Sequence, residues 1–327
     1  MANVLRKVLL TGGAGFIGSH LLENLLQDAQ LEQITVVDNL YTGQKRNIEA
    51  FLQDQRLTFI EHDLTDLPWL ENFLHDHESD PFSLILHFAS PASPPRYQAE
   101  PVMTYQVNAF TTHYLAKYAS QFGSRLLFAS TSEVYGDPAI SPQPESYWGN
   151  VNPNGLRSCY DEAKRLGETV CGVWHRQTGA DIRLVRIFNT YGPRMDITDG
   201  RVIPSFFDSI LRKEPITIYG TGEQTRSFCF VTDLVRGLLT YACKDGLDGE
   251  TINLGNPDEY TMLELVEQFE KLLGQSLERE FSSLPADDPL QRRPDNRKAQ
   301  KLLEWQPQVS LKDGLQATYE YFQTHQQ

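Results

Sequence analysis

The sequence has few cysteines and no long apolar segment. Its 327 residues include four cysteines without a Cys-x-x-Cys spacing, which favours reduced thiols over a disulfide framework or a cysteine-bound metal. No stretch approaches the roughly 20 consecutive apolar residues that a membrane-spanning helix needs. The first residues run directly into a strand-like pattern and do not form a signal peptide. We therefore expect a cytoplasmic protein that binds neither a membrane nor a metal.

Positive charge is also scarce. The chain has 29 lysines and arginines against 43 aspartates and glutamates, and its net charge is -14. A field of this sign repels nucleic acid, so we expect no nucleic-acid partner. An anionic small molecule is still compatible, because individual arginines bind phosphate or carboxylate oxygens at short range.

Apolar runs rich in valine, isoleucine and leucine alternate with helix-period segments. Strands are predicted at residues 7–11, 34–38, 57–60, 83–88, 125–129 and 181–188. This pattern predicts an α/β fold with a doubly wound parallel sheet of the Rossmann type, which binds ligands at the C-terminal ends of its strands. After about Tyr191 the alternation loosens. We expect a dinucleotide-binding domain over residues 1–190, with later strands interleaved at about 230–255, and a smaller C-terminal, mainly substrate-binding domain over 191–327.

A glycine-rich turn lies between the first predicted strand and the following helix. Gly12, Gly15 and Gly18 are spaced three residues apart, and Asp38 ends the next strand. Such glycines let backbone N–H groups approach a pyrophosphate at the positive end of a helix, while the carboxylate binds ribose hydroxyls. Because Asp38 would repel a 2′-phosphate, the pattern predicts NAD as the cofactor. Asp63, after the third strand, either contacts the adenine or simply leads the next helix.

Two pairs of polar residues predict a site for proton and hydride transfer. Tyr160 and Lys164 lie four residues apart on one face of a predicted helix. We expect the Lys164 ammonium to lower the pKa of the Tyr160 phenol, which makes Tyr160 a base near neutral pH. Thr131 and Glu133 follow the strand over 125–129 and share one side if the chain stays extended. They either exchange protons with a substrate or only cap the following loop.

These motifs resemble the extended short-chain dehydrogenase/reductase superfamily of nucleotide-sugar enzymes. Further segments look like the UDP-glucuronate decarboxylase family, also called the UDP-xylose synthase family. They lie at residues 87–95, 149–153, 186–195, 224–228 and 253–257, and the likeness runs from about residue 7 to residue 322.

The resemblance implies a reaction in which the cofactor is reduced and restored. NAD+ would oxidise C4 of UDP-glucuronate, the β-keto acid would lose CO2, and the hydride would return to give UDP-xylose. The implied catalytic residues are Tyr160, Lys164, Thr131, Ser132, Glu133 and Arg292. The implied cofactor contacts are Gly12, Gly15, Phe16, Ile17, Gly18, Asp38, Asn39, Asp63, Leu64, Ala89, Tyr160 and Lys164. The implied substrate contacts are Tyr97, Asn189, Arg201, Tyr219, Arg226 and Arg292.

Three other functions compete with this interpretation. A nucleotide-sugar 4,6-dehydratase needs an acid to expel water, but the position where related dehydratases carry an aspartate is Ser132, and serine is too weak an acid. Related 4-epimerases do not typically carry a glutamate at the position of Glu133. A noncatalytic NAD-binding scaffold would not require Thr131, Tyr160 and Lys164 together.

The same resemblance implies a homodimer that forms through two helices, here residues 101–121 and 158–177. Four aromatic residues of the first helix offer apolar surface for this contact, or else face the sheet. They are Tyr105, Phe110, Tyr114 and Tyr118.

Overall fold

The computed structural model describes residues 4–283 and 291–325. The strands are β1 Lys7–Thr11, β2 Gln33–Asp38, β3 Leu57–Glu61, β4 Leu84–His87, β5 Arg125–Thr131, β6 Ile182–Ile187, β7 Thr190–Tyr191, β8 Ile216–Tyr219, β9 Thr225–Ser227, β10 Cys229–Phe230, β11 Thr251–Leu254, β12 Glu259–Thr261, β13 Arg279–Ser282 and β14 Gln291–Arg292. The α-helices are α1 Phe16–Gln27, α2 Leu67–Asp76, α3 Pro94–Ala99, α4 Pro101–Tyr105, α5 Thr112–Phe122, α6 Ser158–Thr178, α7 Val202–Arg212, α8 Val231–Cys243, α9 Met262–Leu273, α10 Arg297–Leu303 and α11 Leu311–Thr324. Short 3-10 helices span Lys45–Asn47, Glu49–Phe51 and Ser132–Tyr135, and a π-helix spans Gln106–Thr111.

The central element is a parallel sheet with the strand order β11-β6-β5-β4-β1-β2-β3. Its strands carry apolar residues on both faces because helices cover both sides. In β1, Val8 and Leu10 pack with α1 and α8, whereas Leu9 between them packs with α2 and α5 on the opposite face. This alternation is the two-residue period of a strand. The predicted doubly wound α/β fold is confirmed.

The later part of the chain builds a second apolar core. Phe206 and Phe207 of α7 pack with Phe269 of α9 and Phe322 of α11. The same part of the chain also forms a small sheet with the strand order β12-β9-β14, in which β14 pairs with β9. Strand β11, although it follows this region's first strands in sequence, pairs with β6 in the central sheet. The chain therefore crosses between the two cores more than once.

The four aromatic side chains that were expected at a dimer contact or against the sheet differ in their exposure. Tyr105 and Phe110 are 39% and 45% exposed. Tyr118 is buried against Phe82 and Phe122, and Tyr114 packs partly against the same core. Tyr118 therefore faces the sheet and does not offer its ring for a dimer contact. Among the described residues, no helix combines the length and the apolar character needed to cross a membrane.

Candidate active site

One large cavity lies at the C-terminal ends of the central strands, with a volume of about 480 Å³. Three groups of residues line it: the turn after β1, the ends of β2 to β5, and loops from the later part of the chain. Every residue that the sequence predicted for catalysis, cofactor binding or substrate binding lines this cavity. The structure thus brings the whole predicted set together, although the role of each residue stays a prediction.

The turn after β1 is packed so closely that two of its glycines have no room for a side chain. Gly12 has a φ of +74°, and a Cβ atom there would lie 2.7 Å from the backbone nitrogen of Ala89. A Cβ atom on Gly18 would lie 2.0 Å from the carbonyl oxygen of Gly12. Gly15 caps α1 without a side-chain acceptor, so the first helical turn presents its N–H groups at the cavity. This geometry fits a pyrophosphate bound at the positive end of a helix.

Asp38 lies at the end of β2, on the wall next to this turn. Its Oδ2 atom accepts a hydrogen bond from the Ala14 amide at 2.9 Å, and its Oδ1 atom accepts one from the Leu40 amide at 2.8 Å. Burial raises the pKa of Asp38, while these amide donors oppose the rise. Each carboxylate oxygen keeps a second lone pair for a ligand hydroxyl. The contacts support both a structural role in the loop and the predicted contact with a ribose.

Asp63 occupies the neighbouring position, where β3 ends. Its Oδ2 atom accepts a hydrogen bond from the Asn39 amide group at 3.0 Å, and its Oδ1 atom accepts bonds from the backbone and hydroxyl of Thr65. Asp66, not Asp63, caps the next helix, α2. Asp63 therefore shapes the turn before that helix and at the same time lines the cavity with Asn39 and Leu64.

Tyr160 and Lys164 lie on α6 as predicted, but their electrostatics differ from the expectation. The Lys164 ammonium donates a hydrogen bond to the carbonyl of Ala129 at 2.6 Å, and burial lowers its pKa to about 7. Burial raises the pKa of Tyr160, and the hydrogen bond with Thr131 does not outweigh it. The predicted net lowering of the phenol pKa is therefore wrong, since burial outweighs the groups that favour the phenolate. The reason is that both groups are buried, so the charged form of each is disfavoured.

A second tyrosine packs on the first. The rings of Tyr97, from α3, and Tyr160 stack with a centroid distance of 5.0 Å and an interplanar angle of 2°. Tyr97 is 1% exposed, and its hydroxyl has no hydrogen-bond partner among the described residues. An unpaired buried hydroxyl is costly unless a ligand or water meets it. Tyr97 thus has an open polar group beside Tyr160.

The segment after β5 does not remain extended. Thr131 ends the strand, and residues 132–135 turn into a 3-10 helix. The Thr131 hydroxyl accepts a hydrogen bond from the Glu133 amide at 3.2 Å, which caps that turn. The condition for the two side chains to share one side, an extended chain, is therefore not met, and Thr131 caps the following turn. Thr131 bonds with Tyr160, Ser132 is buried at the cavity wall, and Glu133 points to two arginines.

Glu133 is the centre of a buried cluster of charges. Arg292, from β14, forms a bidentate pair with its carboxylate, with Nη2 at 2.7 Å from Oε2. Arg157 also donates from Nη2 to Oε2, at 2.5 Å. Burial opposes ionisation of Glu133, but the charges of Arg292 and Arg157 outweigh it and lower its pKa to about 2. In this arrangement Glu133 is a fixed negative charge at neutral pH and not a proton donor.

Sequence reasoning missed Arg157 and Asp161. They flank Tyr160 on the N-terminal side of α6, and Nε of Arg157 lies 3.8 Å from Oδ2 of Asp161. The available signal was their spacing of four residues, which places side chains on one face of a helix. The pairing of Arg157 with Glu133 has no local signal, because 24 residues separate the two in sequence.

The other predicted contacts to the nucleotide sugar come from four further places on the cavity wall. Arg226 on β9 is the register partner of Arg292 on β14. Arg201, just before α7, pairs with Asp199 through both of its carboxylate oxygens. The two remaining residues are Asn189, between β6 and β7, and Tyr219, which ends β8 and is 48% exposed. Two guanidinium groups and an accessible aromatic ring suit a diphosphate and a base.

Comparisons with known proteins agree with this geometry. The model of the NAD dependent epimerase/dehydratase family matches residues 8–255. UDP-glucuronic acid decarboxylase 3 of Arabidopsis thaliana is 47% identical over 97% of this chain and 89% of its own length. UDP-glucuronic acid decarboxylase 1 of Xenopus tropicalis is 45% identical over 97% of this chain and 72% of its own length.

A solved structure shows the same fold with ligands. It is UDP-glucuronic acid 4-epimerase from Bacillus cereus in complex with UDP-glucuronic acid and NAD, which matches with a TM-score of 0.86 and 28% identity over 97% of this chain and 99% of that chain. The resemblance drawn from the sequence motifs is confirmed. The chain belongs to the NAD dependent epimerase/dehydratase family and, within it, to the family of the UDP-glucuronic acid decarboxylases.

Proposed function

We propose that the protein converts UDP-glucuronate to UDP-xylose and CO2 and uses bound NAD as a recycled hydride carrier. The observation that carries this proposal is the arginine pair on Glu133 in the same cavity as Tyr160 and Lys164. A redox site alone would serve many sugars, whereas a buried guanidinium such as Arg292 suits a substrate that carries a carboxylate. The decarboxylase names of the relatives at 45–47% identity support the same substrate.

The residues around the glycine turn fit the cofactor. Gly12, Gly15 and Gly18 would hold the pyrophosphate, with the amides of Phe16 and Ile17, in the closely packed turn that lines the cavity. The adenosine end would meet Asp38, Asn39, Asp63 and Leu64, and the nicotinamide end would meet Ala89, Tyr160 and Lys164. When bound, NAD+ supplies a hydride acceptor for C4 of the sugar and later a hydride donor.

The chain's own residues would move the proton of the C4 hydroxyl. Tyr160 would take it as a phenolate and give it back after decarboxylation. Thr131, which already bonds with Tyr160, would link the phenol to the substrate oxygen. Lys164, 5.8 Å from the Tyr160 ring centroid, can stabilise the phenolate when it is protonated. Tyr97 would offer its open hydroxyl on the same side.

Loss of CO2 follows from the 4-keto group. The electrons of the C5–carboxyl bond flow into the C4 carbonyl, and the resulting enolate needs nearby hydrogen-bond donors and positive charge. The enolate then takes a proton from water at C5, and the hydride returns to C4. Arg292 would supply the charge, and its bidentate pair with Glu133 would hold the guanidinium in place. Ser132 would complete the wall beside the sugar. Asn189, Arg201, Tyr219 and Arg226 would bind the UDP.

A direct assay tests this function against its rivals. Purified protein is incubated with NAD+ and, in separate reactions, with UDP-glucuronate or UDP-glucose, and the products are followed as CO2 and by the mass of the nucleotide sugar. We expect CO2 and a UDP-pentose. A 4-epimerase would return an acidic hexose of unchanged mass, a 4,6-dehydratase would instead remove water from a neutral UDP-hexose, and a scaffold would change neither sugar. Any of these three outcomes would overturn the proposal.

Three further features of the protein belong to this proposal. Residues 1–190 would form the NAD-binding domain, with the interleaved strands at about 230–255, and residues 191–327 would mainly bind the nucleotide sugar.

A homodimer would form through the exposed apolar face of α4 to α6, which includes Tyr105, Phe110 and Leu166. Light scattering after size exclusion measures the mass of the assembly. The location would be cytoplasmic, which the free cysteines support.

A further inference from the structure

A buried carboxyl group lies one residue beyond Tyr160 and outside the cavity lining. Asp161, in the first turn of α6, is 7% exposed, and its Oδ1 atom has no hydrogen-bond partner among the described residues. Its Oδ2 atom lies 3.8 Å from Nε of Arg157, and the other end of that guanidinium contacts Glu133. Two buried carboxyl groups therefore share one guanidinium, and one of them has an open oxygen.

The two guanidinium groups that pair with this cluster are already matched by its two carboxyl groups. Arg157 and Arg292 are the paired cations, Glu133 and Asp161 are the two possible anions, and Arg226 acts on Glu133 only as a weaker, additional positive charge. The carboxylate of an acidic sugar beside Arg292 would be a third anion on two guanidinium groups. A nearby like charge disfavours the ionised form of a carboxyl group. One of the two protein carboxyl groups is therefore expected to gain a proton.

Asp161 is better suited to that proton than Glu133. Burial and the Glu133 charge raise the pKa of Asp161 to about 7, whereas the bidentate arginine pair keeps the pKa of Glu133 at about 2. The open Oδ1 atom of Asp161 can carry the proton without breaking a hydrogen bond.

The other ionisable groups near Asp161 do not compete for the proton. They come from α6 and the residue before it, from α3, from the 3-10 turn after β5 and from β14, and they are Arg157, Cys159, Tyr160, Glu162, Tyr97, Glu133 and Arg292. Burial raises the pKa of the Tyr97 phenol and of the Cys159 thiol, so both stay neutral at pH 7, and Tyr160 is replaced by phenylalanine in the test below. Glu162 is 38% exposed and pairs with Arg165 at 3.5 Å.

We propose that Asp161 takes up a proton from solvent when the carboxylate of an acidic nucleotide sugar enters the cavity, and releases it once the sugar no longer carries that charge. Asp161 is thereby a positioning residue: it acts through Arg157 and keeps the arginine pair available to a second carboxylate while Glu133 stays ionised. This role rests on the proposed function, because it requires a substrate with a carboxylate on the sugar.

Calorimetry can count the protons. Binding is measured slightly above neutral pH in two buffers that differ in ionisation enthalpy, with NAD-saturated Tyr160→Phe protein so that the ligand is bound without turnover. We expect UDP-glucuronate to bind with uptake of up to one proton per site and the neutral UDP-glucose to bind with none. The uptake should disappear in Asp161→Asn made in the same parent. It should persist in Glu162→Gln, which removes the neighbouring exposed carboxylate.

Two results would overturn the role of Asp161: no acid-specific uptake in the parent, or uptake that survives Asp161→Asn. If Asp161→Asn does not fold, infrared difference spectra of the parent decide instead, because UDP-glucuronate must then produce the band of a protonated carboxyl group, and its absence rejects the role. The wild-type product assay separates this inference from the proposed function. CO2 release without proton uptake would reject only the role of Asp161, whereas a failure to release CO2 would reject the proposed function.

Discussion

Replacing Glu133 with glutamine tests the buried charge cluster most directly. The Glu133 pKa of about 2 in the folded protein, against an ordinary value of 4.5, corresponds to about 3 kcal/mol of stability at neutral pH. The loss of one partner from a buried ion pair gives an independent figure of about 3 to 5 kcal/mol, because the guanidinium groups stay buried. We therefore expect Glu133→Gln to lower the free energy of unfolding by about 3 kcal/mol at pH 7.

The pH dependence of this difference has a definite sign. A depressed carboxyl pKa stabilises the fold fully above the unfolded value of 4.5 and loses its effect as the pH falls towards about 2. The gap between wild type and Glu133→Gln should therefore be largest near pH 5 and shrink below about pH 4. It should also narrow between about pH 5 and pH 7, because the Glu133 charge raises the pKa of Asp161 in the wild type. Urea unfolding followed by circular dichroism measures both.

A neighbouring glutamate provides the matched control. Glu162→Gln makes the same chemical change at a half-exposed ion pair with Arg165, and exposed pairs contribute about 1 kcal/mol or less. If Glu133→Gln unfolds at the same urea concentration as Glu162→Gln, the arginines do not stabilise the Glu133 carboxylate and the cluster has been misread.

Three further substitutions test the ligand contacts. Tyr160→Phe should reduce turnover, measured by product formation, by about 10²-fold or more. NAD should bind as tightly as in wild type in a fluorescence titration, and unchanged turnover would show that Tyr160 does not take part in the reaction. Arg292→Lys keeps the charge but loses the bidentate geometry, so kcat/KM for UDP-glucuronate should fall by about tenfold or more. Binding of UDP-glucose is the reference, and equal losses for both sugars would contradict a contact between Arg292 and the sugar carboxylate. Asp38→Asn should shift the ratio of NADP to NAD affinity towards NADP by about tenfold, and a constant ratio in competition binding would show that this carboxylate does not select the cofactor.

Local patterns predicted the elements that hold the cofactor well. The strand over 7–11 has the bounds that the sequence indicated, and the glycine turn is followed by a helix, Phe16–Gln27, as predicted. Continuous apolar runs are typical of strands buried on both faces. A glycine turn followed by an amphipathic helix is typical of the dinucleotide-binding unit. The pattern therefore needs only short-range information, and the position of Asp38 follows from it.

The electrostatics of the site could not be predicted in this way. The Tyr160 to Lys164 spacing correctly placed both side chains in one cavity, but the direction of the Tyr160 pKa shift was wrong because it depends on burial. The condition of an extended chain for Thr131 and Glu133 is not met because the strand ends at Thr131 and a 3-10 turn follows.

The sequence by itself determined the doubly wound sheet and the cofactor turn, since each depends on residue types at fixed short spacings, and the resemblance to a known family supplied most of the other predicted residues that line the cavity. Only the tertiary structure decided how Glu133 is used. Its two arginine partners lie 24 and 159 residues away, and Arg292 reaches it because β14 pairs with β9 at the rim of the cavity. Distant residues meet through packing of the whole chain, and burial there sets which of Glu133 and Asp161 carries the charge.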